Sequence, residues 1–241
     1  MSAISETKID KFHEWGNILR GFEILVTPAN AESQLIPQLK QLLDEFDHQQ
    51  DGWREEQKLR ADDFNILRTM RLTRKELCHS DVLAWLLDSR ETHAQGELGF
   101  RLFLNKLNLP DEFADKNYKV TRELSGEESQ LDIVIEAEGE FIIGIENKID
   151  SEEGKDQTKR EWNDLVRQKQ RLNIPTEIVA FFLTPGGTKP GCSKFRPLSW
   201  QIVADIFQTF SQEAKAELVR IFAKHYAETL RHEIVPETEE K

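Results

Sequence analysis

The sequence contains few cysteines, and the two that it has lie far apart. Cys78 and Cys192 have no second pair near them, so they form neither a disulfide framework nor a CxxC metal pair. The six histidines are scattered, and neither HExxH nor a Cys/His zinc spacing occurs. These absences exclude a disulfide-stabilised scaffold and a zinc finger, and they favour a reducing cytoplasm as the location.

Long apolar runs are lacking as well. The longest ones, such as Ile178 to Leu183, are far shorter than the roughly 20 residues needed to span a bilayer. Met1 to Asp10 contains no apolar segment of the signal-peptide type. We therefore expect no membrane association. Hydrophobic residues still make up 38% of the sequence, with 14 Phe and 5 Trp, which is enough for a sizeable core.

An overall excess of basic residues is also missing, because the formal net charge is −12. The charge is unevenly distributed, however. Residues 155–196 contain 9 basic and 4 acidic side chains, a local net charge of +5. Nucleic-acid binding depends on local neutralisation of phosphates, so this basic segment can serve a nucleic-acid partner. The alternative is the solvated face of an amphipathic helix.

Hydrophobic spacing divides the chain into three parts. Residues 1–70 are predicted to form a helical N-terminal extension, because leucines such as Leu35, Leu39 and Leu42 recur at helical intervals. Residues 71–235 are predicted to form the main domain, and residues 236–241 a frayed acidic tail. Thr73 to Glu76 fits a capping box at the start of the next helix, which extends to Leu87.

The main domain alternates between helical and strand patterns. Its predicted strands are Tyr118–Leu124, Gln130–Glu136, Phe141–Lys148 and Glu177–Thr184. Its predicted helices after Leu87 are Gly96–Leu107, Lys155–Leu172, Trp200–Phe210 and Gln212–Arg231. A strand, a helix and a strand in succession imply a right-handed crossover between parallel strands. The order predicts a three-layer α/β domain with a mixed sheet of about four strands flanked by helices.

The hairpin Leu131–Lys148 is the most informative segment. Isoleucines alternate along both of its strands, and they must share one face of the sheet. A three-residue turn at residues 138–140 pairs Ile133 with Ile145, whereas a two-residue turn would place mismatched faces together. The same register sets Asp132 directly opposite Glu146, with Cβ atoms about 5 Å apart.

Two carboxylates at that distance repel, so one retains its proton or a cation lies between them. Oxygen ligands on a partly open site suit Mg²⁺, which activates water and balances charge on phosphorus. Lys148 lies on the same face and can orient the water or stabilise the phosphate. The backbone carbonyl of Asn147 is a further candidate ligand. The alternative is an ordinary hairpin whose Asp132, Glu146 and Lys148 face solvent.

These residues resemble the PD-(D/E)XK, or restriction-endonuclease-like, nuclease superfamily. Asp132 is followed after thirteen residues by Glu146-Asn147-Lys148, on a hairpin that precedes a helix and a further strand. Segments around Glu76 and His79-Ser80, at 83–87 and 182–187, and at Leu198-Ser199-Trp200 are similar to those of a bacterial branch of unassigned role. The resemblance implies Mg²⁺ or Mn²⁺ as cofactor, Asp132 and Glu146 as ligands, and Lys148 as the base or electrostatic stabiliser.

The chain departs from the superfamily pattern at two places. Leu131 precedes Asp132, where the family name has a proline. Relatives often carry a Gln and, four residues later, a Tyr on the helix after the lysine, but here Gln157 is followed by Glu161 and Trp162. Gln157 remains a candidate catalytic residue. Glu76 matches a helix acid that often completes the metal site, with the capping-box role as its alternative.

The function expected from the sequence is a cytoplasmic bacterial nuclease that hydrolyses DNA phosphodiester bonds with Mg²⁺-activated water. DNA is preferred to RNA because most relatives act on it. Lys155, Lys159 and Arg160 are the candidate phosphate contacts. The rival is a catalytically silent module of the same fold that binds nucleic acid or a protein partner. The oligomeric state stays open, with a homodimer as one option.

Overall fold

The computed structural model describes residues 31–60 and 64–236. The frayed tail proposed for residues 236–241 therefore lies outside the described residues, except for Pro236, as does the helical prediction for residues 1–30. The chain divides into two units, with the boundary between Phe64 and Asn65. In the described ranges, every helix is too short or too polar to cross a membrane.

The described part of the first unit is one long helix, α1 (Ala31–Arg60). Helix α1 is continuous, and Pro37 lies in its second turn. Large apolar side chains on α1, among them Leu43 and Trp53, are exposed. The helical character predicted from the leucine spacing is confirmed for this segment.

The second unit is built on a mixed sheet of five strands in the order β1 to β5. The strands are β1 (Lys119–Ser125), β2 (Gln130–Ala137), β3 (Phe141–Asn147), β4 (Val179–Thr184) and β5 (Arg196–Ser199). β1, β2 and β3 are antiparallel neighbours. β3, β4 and β5 are parallel neighbours, as the predicted crossover requires. The four predicted strands are confirmed, and β5 is an additional one.

Helices cover both faces of this sheet. They are α2 (Ile66–Thr69), α3 (Glu76–Leu87), α4 (Leu98–Lys106), α5 (Gln157–Arg171), α6 (Trp200–Glu213) and α7 (Glu217–Thr229), with short turns at Asp111–Asp115 and Leu230–Ile234. The alternating isoleucines of β2 and β3 pack with α3, α4, α6 and α7 in the larger core. The opposite sheet face packs against α5, chiefly through Leu165. The result is the predicted three-layer, restriction-endonuclease-like architecture.

Helix α5 approaches β3 very closely. A Cβ atom built on Gly144 would lie 2.8 Å from a methyl carbon of Leu165 and 2.7 Å from one of Leu131. Such distances are too short for ordinary packing, so a larger residue there would force the side chains of Leu131 and Leu165 to move. Gly144 is two residues before Glu146, and both lie on the face of the sheet that α5 covers. Close packing of α5 therefore encloses the end of β3.

Several boundaries differ from the sequence prediction by a few residues, including the starts of two helices. The helix expected from Lys155 begins at Gln157, after Asp156 takes a positive φ of 51°, so Lys155 lies before α5 and not on it. The last helix starts at Glu217 and not at Gln212, because α6 continues to Glu213. Both shifts move helix ends by two to five residues, which is where local sequence patterns are least informative.

Candidate active site

The turn between β2 and β3 has the length that the hydrophobic pattern predicted. Ala137 pairs with Phe141 and Ile133 pairs with Ile145, so three residues form the turn. Gly139, at its centre, has a φ of 71°, a conformation that glycine adopts without strain. The next pair in this register is Asp132 and Glu146. The predicted pairing of the two strands is therefore confirmed, and both acids lie at the same end of the hairpin.

Glu146 is buried at this end, with only 2% of its surface exposed. Its Oε1 accepts a hydrogen bond from Nε2 of Gln157 at 2.5 Å and lies 2.7 Å from Nζ of Lys148. Its Oε2 is buried and has no hydrogen-bond partner among the residues that the structure describes. Burial, followed by the nearby charges of Glu161 and Asp132, raises the pKa of Glu146 to about 9. The site thus favours a proton or a cation on this carboxylate.

Asp132 is half-buried beside Glu146. Its carboxylate accepts a hydrogen bond from the backbone N–H of Asn147 at 2.8 Å, across the hairpin. Its backbone carbonyl accepts a hydrogen bond from the guanidinium of Arg122 on β1. Burial raises the pKa of Asp132, and the backbone N–H and the charge of Lys148 only partly oppose this. The ionised form of Asp132 is therefore disfavoured, as is that of Glu146.

Lys148 follows the last residue of β3, and its side chain is 13% exposed. Its Nζ lies 2.7 Å from Glu146 and 3.7 Å from the carboxylate of Glu76. Burial alone would lower the pKa of Lys148, but the hydrogen bond and charge of Glu146 raise it above its usual value. The lysine is accordingly a cation held among carboxylates.

Glu76 reaches the site from the first turn of α3. Its Oε2 accepts hydrogen bonds from the N–H of Ile149 at 3.0 Å and from the hydroxyl of Ser151 at 2.9 Å. Helix α3 begins at Glu76 after Lys75, and no side chain caps it. The capping box expected from Thr73 and Glu76 is therefore wrong, because Glu76 binds the segment after β3 instead.

Asn147 has a buried side chain that joins β3 to two helices. Its amide donates to Oγ of Ser80 at 3.0 Å and to the carbonyl of Glu76 at 3.2 Å, both on α3. Its Oδ1 accepts a hydrogen bond from the indole of Trp200, the first residue of α6, at 3.2 Å. The segments that carried the family resemblance thus meet around one residue of the hairpin. Because these hydrogen bonds hold the side chain of Asn147 against the two helices, its backbone carbonyl remains the candidate oxygen for a cation.

Glu161 is a further residue of the site, which was recognised in the sequence only as a departure from the family pattern. It lies on α5, one turn after Gln157, and is completely buried. Both of its carboxylate oxygens lack a hydrogen-bond partner among the described residues. Burial raises the pKa of Glu161 to about 7. Its position four residues after Gln157, on the same helix face, was the signal that could have identified it.

The basic segment is only partly available for a ligand. Arg167 forms ion pairs with Glu127, Glu128 and Asp164, which neutralise it. Lys155 and Lys159 are exposed at the start of α5. The guanidinium of Arg160 donates to the carbonyl of Lys155 and ties that loop to the helix. The predicted contacts therefore cluster around the N-terminal end of α5.

The donors at this site fit a divalent cation of the hard, oxygen-binding type. Glu146 has a buried oxygen without a partner, and Asp132 lies opposite it in the hairpin register. Within residues 31–60 and 64–236, no three His, Cys, Asp or Glu side chains are arranged as a closed metal cage. Mg²⁺ does not need one, because it commonly takes one or two protein carboxylates and keeps several waters.

The first prediction concerns Glu146→Gln. The substitution replaces a buried acid whose ionised form is unfavourable with a neutral side chain of similar volume, so in chelator the variant should melt no lower than the parent chain. Mg²⁺ or Mn²⁺ at about 100 times its dissociation constant should stabilise the parent by roughly 2.7 kcal/mol. The variant should lose most of this gain, as measured by thermal melting with and without metal. A variant that melts well below the parent and keeps the full metal response would show that Glu146 is structural.

The second prediction is that the metal-free chain loses stability as pH rises. The pKa of Glu146 increases from 4.5 to about 9 on folding, so between these values the native chain holds a proton that the unfolded chain has released. The free energy of unfolding should therefore fall with rising pH in this window. Melting in chelator between about pH 7 and about pH 8.5 avoids most histidine titration. Glu146→Gln should show a shallower decline, and an equal slope would contradict the prediction.

Comparisons with known proteins agree with this geometry. A family model of the PD-(D/E)XK nuclease superfamily matches residues 64–239, which include every site residue described above. Searches of curated proteins and of solved structures found no match. The match covers well over half of the chain and includes the whole sheet. The chain belongs to the PD-(D/E)XK nuclease superfamily.

Proposed function

We propose that this chain is a divalent-metal-dependent nuclease that hydrolyses DNA phosphodiester bonds with metal-activated water. One observation carries the proposal: Glu146 is buried at the end of β3 beside Asp132 and Lys148, with one oxygen that has no hydrogen-bond partner in the described part of the chain. Membership of the superfamily supports a nuclease fold. The proposed nuclease core is residues 71–235, and the free cysteines Cys78 and Cys192 support a cytoplasmic location.

Asp132 and Glu146 would hold the cation, which we take to be Mg²⁺ or Mn²⁺. The backbone carbonyl of Asn147 is the third candidate oxygen, since the hydrogen bonds of its side chain fix the end of β3. When bound, the cation makes a water nucleophilic at neutral pH and balances charge that develops on phosphorus. Gln157 keeps the carboxylate of Glu146 in place through its hydrogen bond to Oε1.

Lys148 has the role of orienting the attacking water and stabilising the negative charge on the phosphate. Its ammonium group lies close to the carboxylates of Glu146 and Glu76, so the side chain stays in the site and does not extend into solvent. Preorganised charge of this kind stabilises a transition state because no rearrangement is needed during the reaction. Glu76 positions Lys148 from the other side while it fixes the backbone of Ile149.

DNA would contact the exposed basic side chains at the start of α5. Lys155 and Lys159 are exposed there, and Arg160 lies beside them. Contacts to phosphate give affinity for any sequence and a strong dependence on salt. The ion-paired Arg167 is not part of this surface in the proposal.

The third prediction tests hydrolysis. Purified chain should cleave at least one of single-stranded, double-stranded or branched DNA with Mg²⁺ or Mn²⁺ and lose this activity in chelator. Lys148→Met should abolish cleavage and keep most of the metal-induced rise in melting temperature, because the carboxylates remain. RNA is the comparison substrate. Binding of DNA without any cleavage by the parent would instead support the silent module that binds without cutting.

The fourth prediction concerns binding of DNA. Neutralising Lys155, Lys159 and Arg160 should weaken binding to all sequences and reduce the salt dependence by about one unit per lost phosphate contact. Binding measured at several salt concentrations with a catalytically inactive variant gives this slope. Arg167→Gln is the matched control, since Arg167 is already paired with acidic residues. An unchanged slope in the triple variant would mean that these residues form only a solvated helix end.

A further inference from the structure

Glu161 faces the end of β3 near Gln157 and Glu146, and its carboxylate forms no hydrogen bond within the described residues. It stands four residues after Gln157, which binds Glu146, and four residues before Leu165, which lies against Gly144. Residues four apart share one face of a helix, so Glu161 lies on the face of α5 that covers β3 between Gly144 and Glu146. It is completely buried, and both carboxylate oxygens lack a hydrogen bond among the described residues.

A second buried acid in the same layer shows that this lack of partners is local. Glu136 lies on the same sheet face, and its side chain is almost completely buried. Its Oε2 accepts a hydrogen bond from Gln168 of α5 at 2.7 Å, and its Oε1 forms no hydrogen bond among the described residues but lies 2.9 Å from Nζ of Lys119. Glu136 thus has one hydrogen bond and one ion pair, whereas neither oxygen of Glu161 has a hydrogen bond within the described residues. Burial of an unpaired carboxylate is unfavourable, so an unsatisfied one points to a ligand.

The charge around Glu161 identifies the class of ligand. Glu146 and Asp132 are its acidic neighbours, and Lys148 supplies a single positive charge to this group. A divalent cation would neutralise the excess negative charge of these acids, whereas an anion or an apolar ligand would not. The described residues offer no closed three-acid cage, and Mg²⁺ keeps part of its hydration shell at such sites.

We propose that Glu161 is the outer carboxylate of the divalent-cation site, where its two free oxygens accept hydrogen bonds from water carried by the cation. This inference rests on the proposed function, because it assumes that Asp132 and Glu146 hold that cation. Glu161 is thereby a positioning residue that acts through the hydration shell and not on the substrate. Such outer contacts fix the ligand set and contribute strongly to metal affinity.

The test measures Mn²⁺ binding to the full chain by calorimetry, without any substrate. Glu161→Gln should raise the dissociation constant about tenfold or more. Glu161→Asp should retain more of the affinity, because it keeps the carboxylate. Glu136→Gln is the matched control, a buried acid in the same layer, and should bind Mn²⁺ as the parent does. In chelator, Glu161→Gln should melt no lower than the parent, since it removes an unpaired buried charge.

Two results would overturn the inference: an unchanged dissociation constant in Glu161→Gln, or an equal loss in Glu136→Gln. If Glu161→Gln does not fold, Glu161→Leu, with a neutral side chain of similar size, tests the same loss of charge. Parallel cleavage assays separate this inference from the proposed function. Mn²⁺ binding that depends on Glu161 in a chain that cleaves no nucleic acid supports the inference and rejects the function. If the parent cleaves nucleic acid but Glu161→Gln binds Mn²⁺ as tightly as the parent, the function is supported and the inference is rejected.

Discussion

The burial of Glu146 beside other acids is the constraint on which the site depends. A carboxylate removed from water must be paired, protonated or bound to a cation, because desolvation strongly disfavours its charged form. Lys148 and Gln157 both act on one oxygen of Glu146, and its other oxygen has no hydrogen-bond partner among the described residues. These groups therefore supply less compensation than the acids require. This deficit is the physical basis of the proposed cation site.

Keeping such a cluster together requires a rigid frame, and Asn147 provides it. Its amide joins β3 to α3 through Ser80 and to α6 through Trp200, and its backbone N–H binds Asp132. Repulsion between the acids would otherwise separate the strand ends. The larger core on the far side of the sheet stabilises the same strands through Ile133 and Ile145. The stability that the core contributes thus compensates for the repulsion among the acids at the end of β3.

Much of this arrangement could be predicted from the sequence, because side-chain alternation determines strand register. The isoleucines of β2 and β3 allowed only one turn length, which correctly aligned the acids. Strand β5 was missed since it has four residues, contains Pro197 and exists only through pairing with β4. The capping box failed for a related reason: the partners of Glu76, Ile149 and Ser151, are more than seventy residues away. Local patterns do not contain such contacts.

The role of α5 illustrates the same limit and explains why the site is enclosed. Its sequence is strongly polar, so it was interpreted through its basic residues, which face solvent. The opposite face carries Gln157, Glu161 and Leu165 against β3, and Gly144 permits the close approach. This packing removes water from Glu146 and raises its pKa. One helix thus encloses Glu146 with one face and carries the exposed Lys159 on another. In the proposed function, exclusion of water and contact with a polyanion are therefore coupled in a single element.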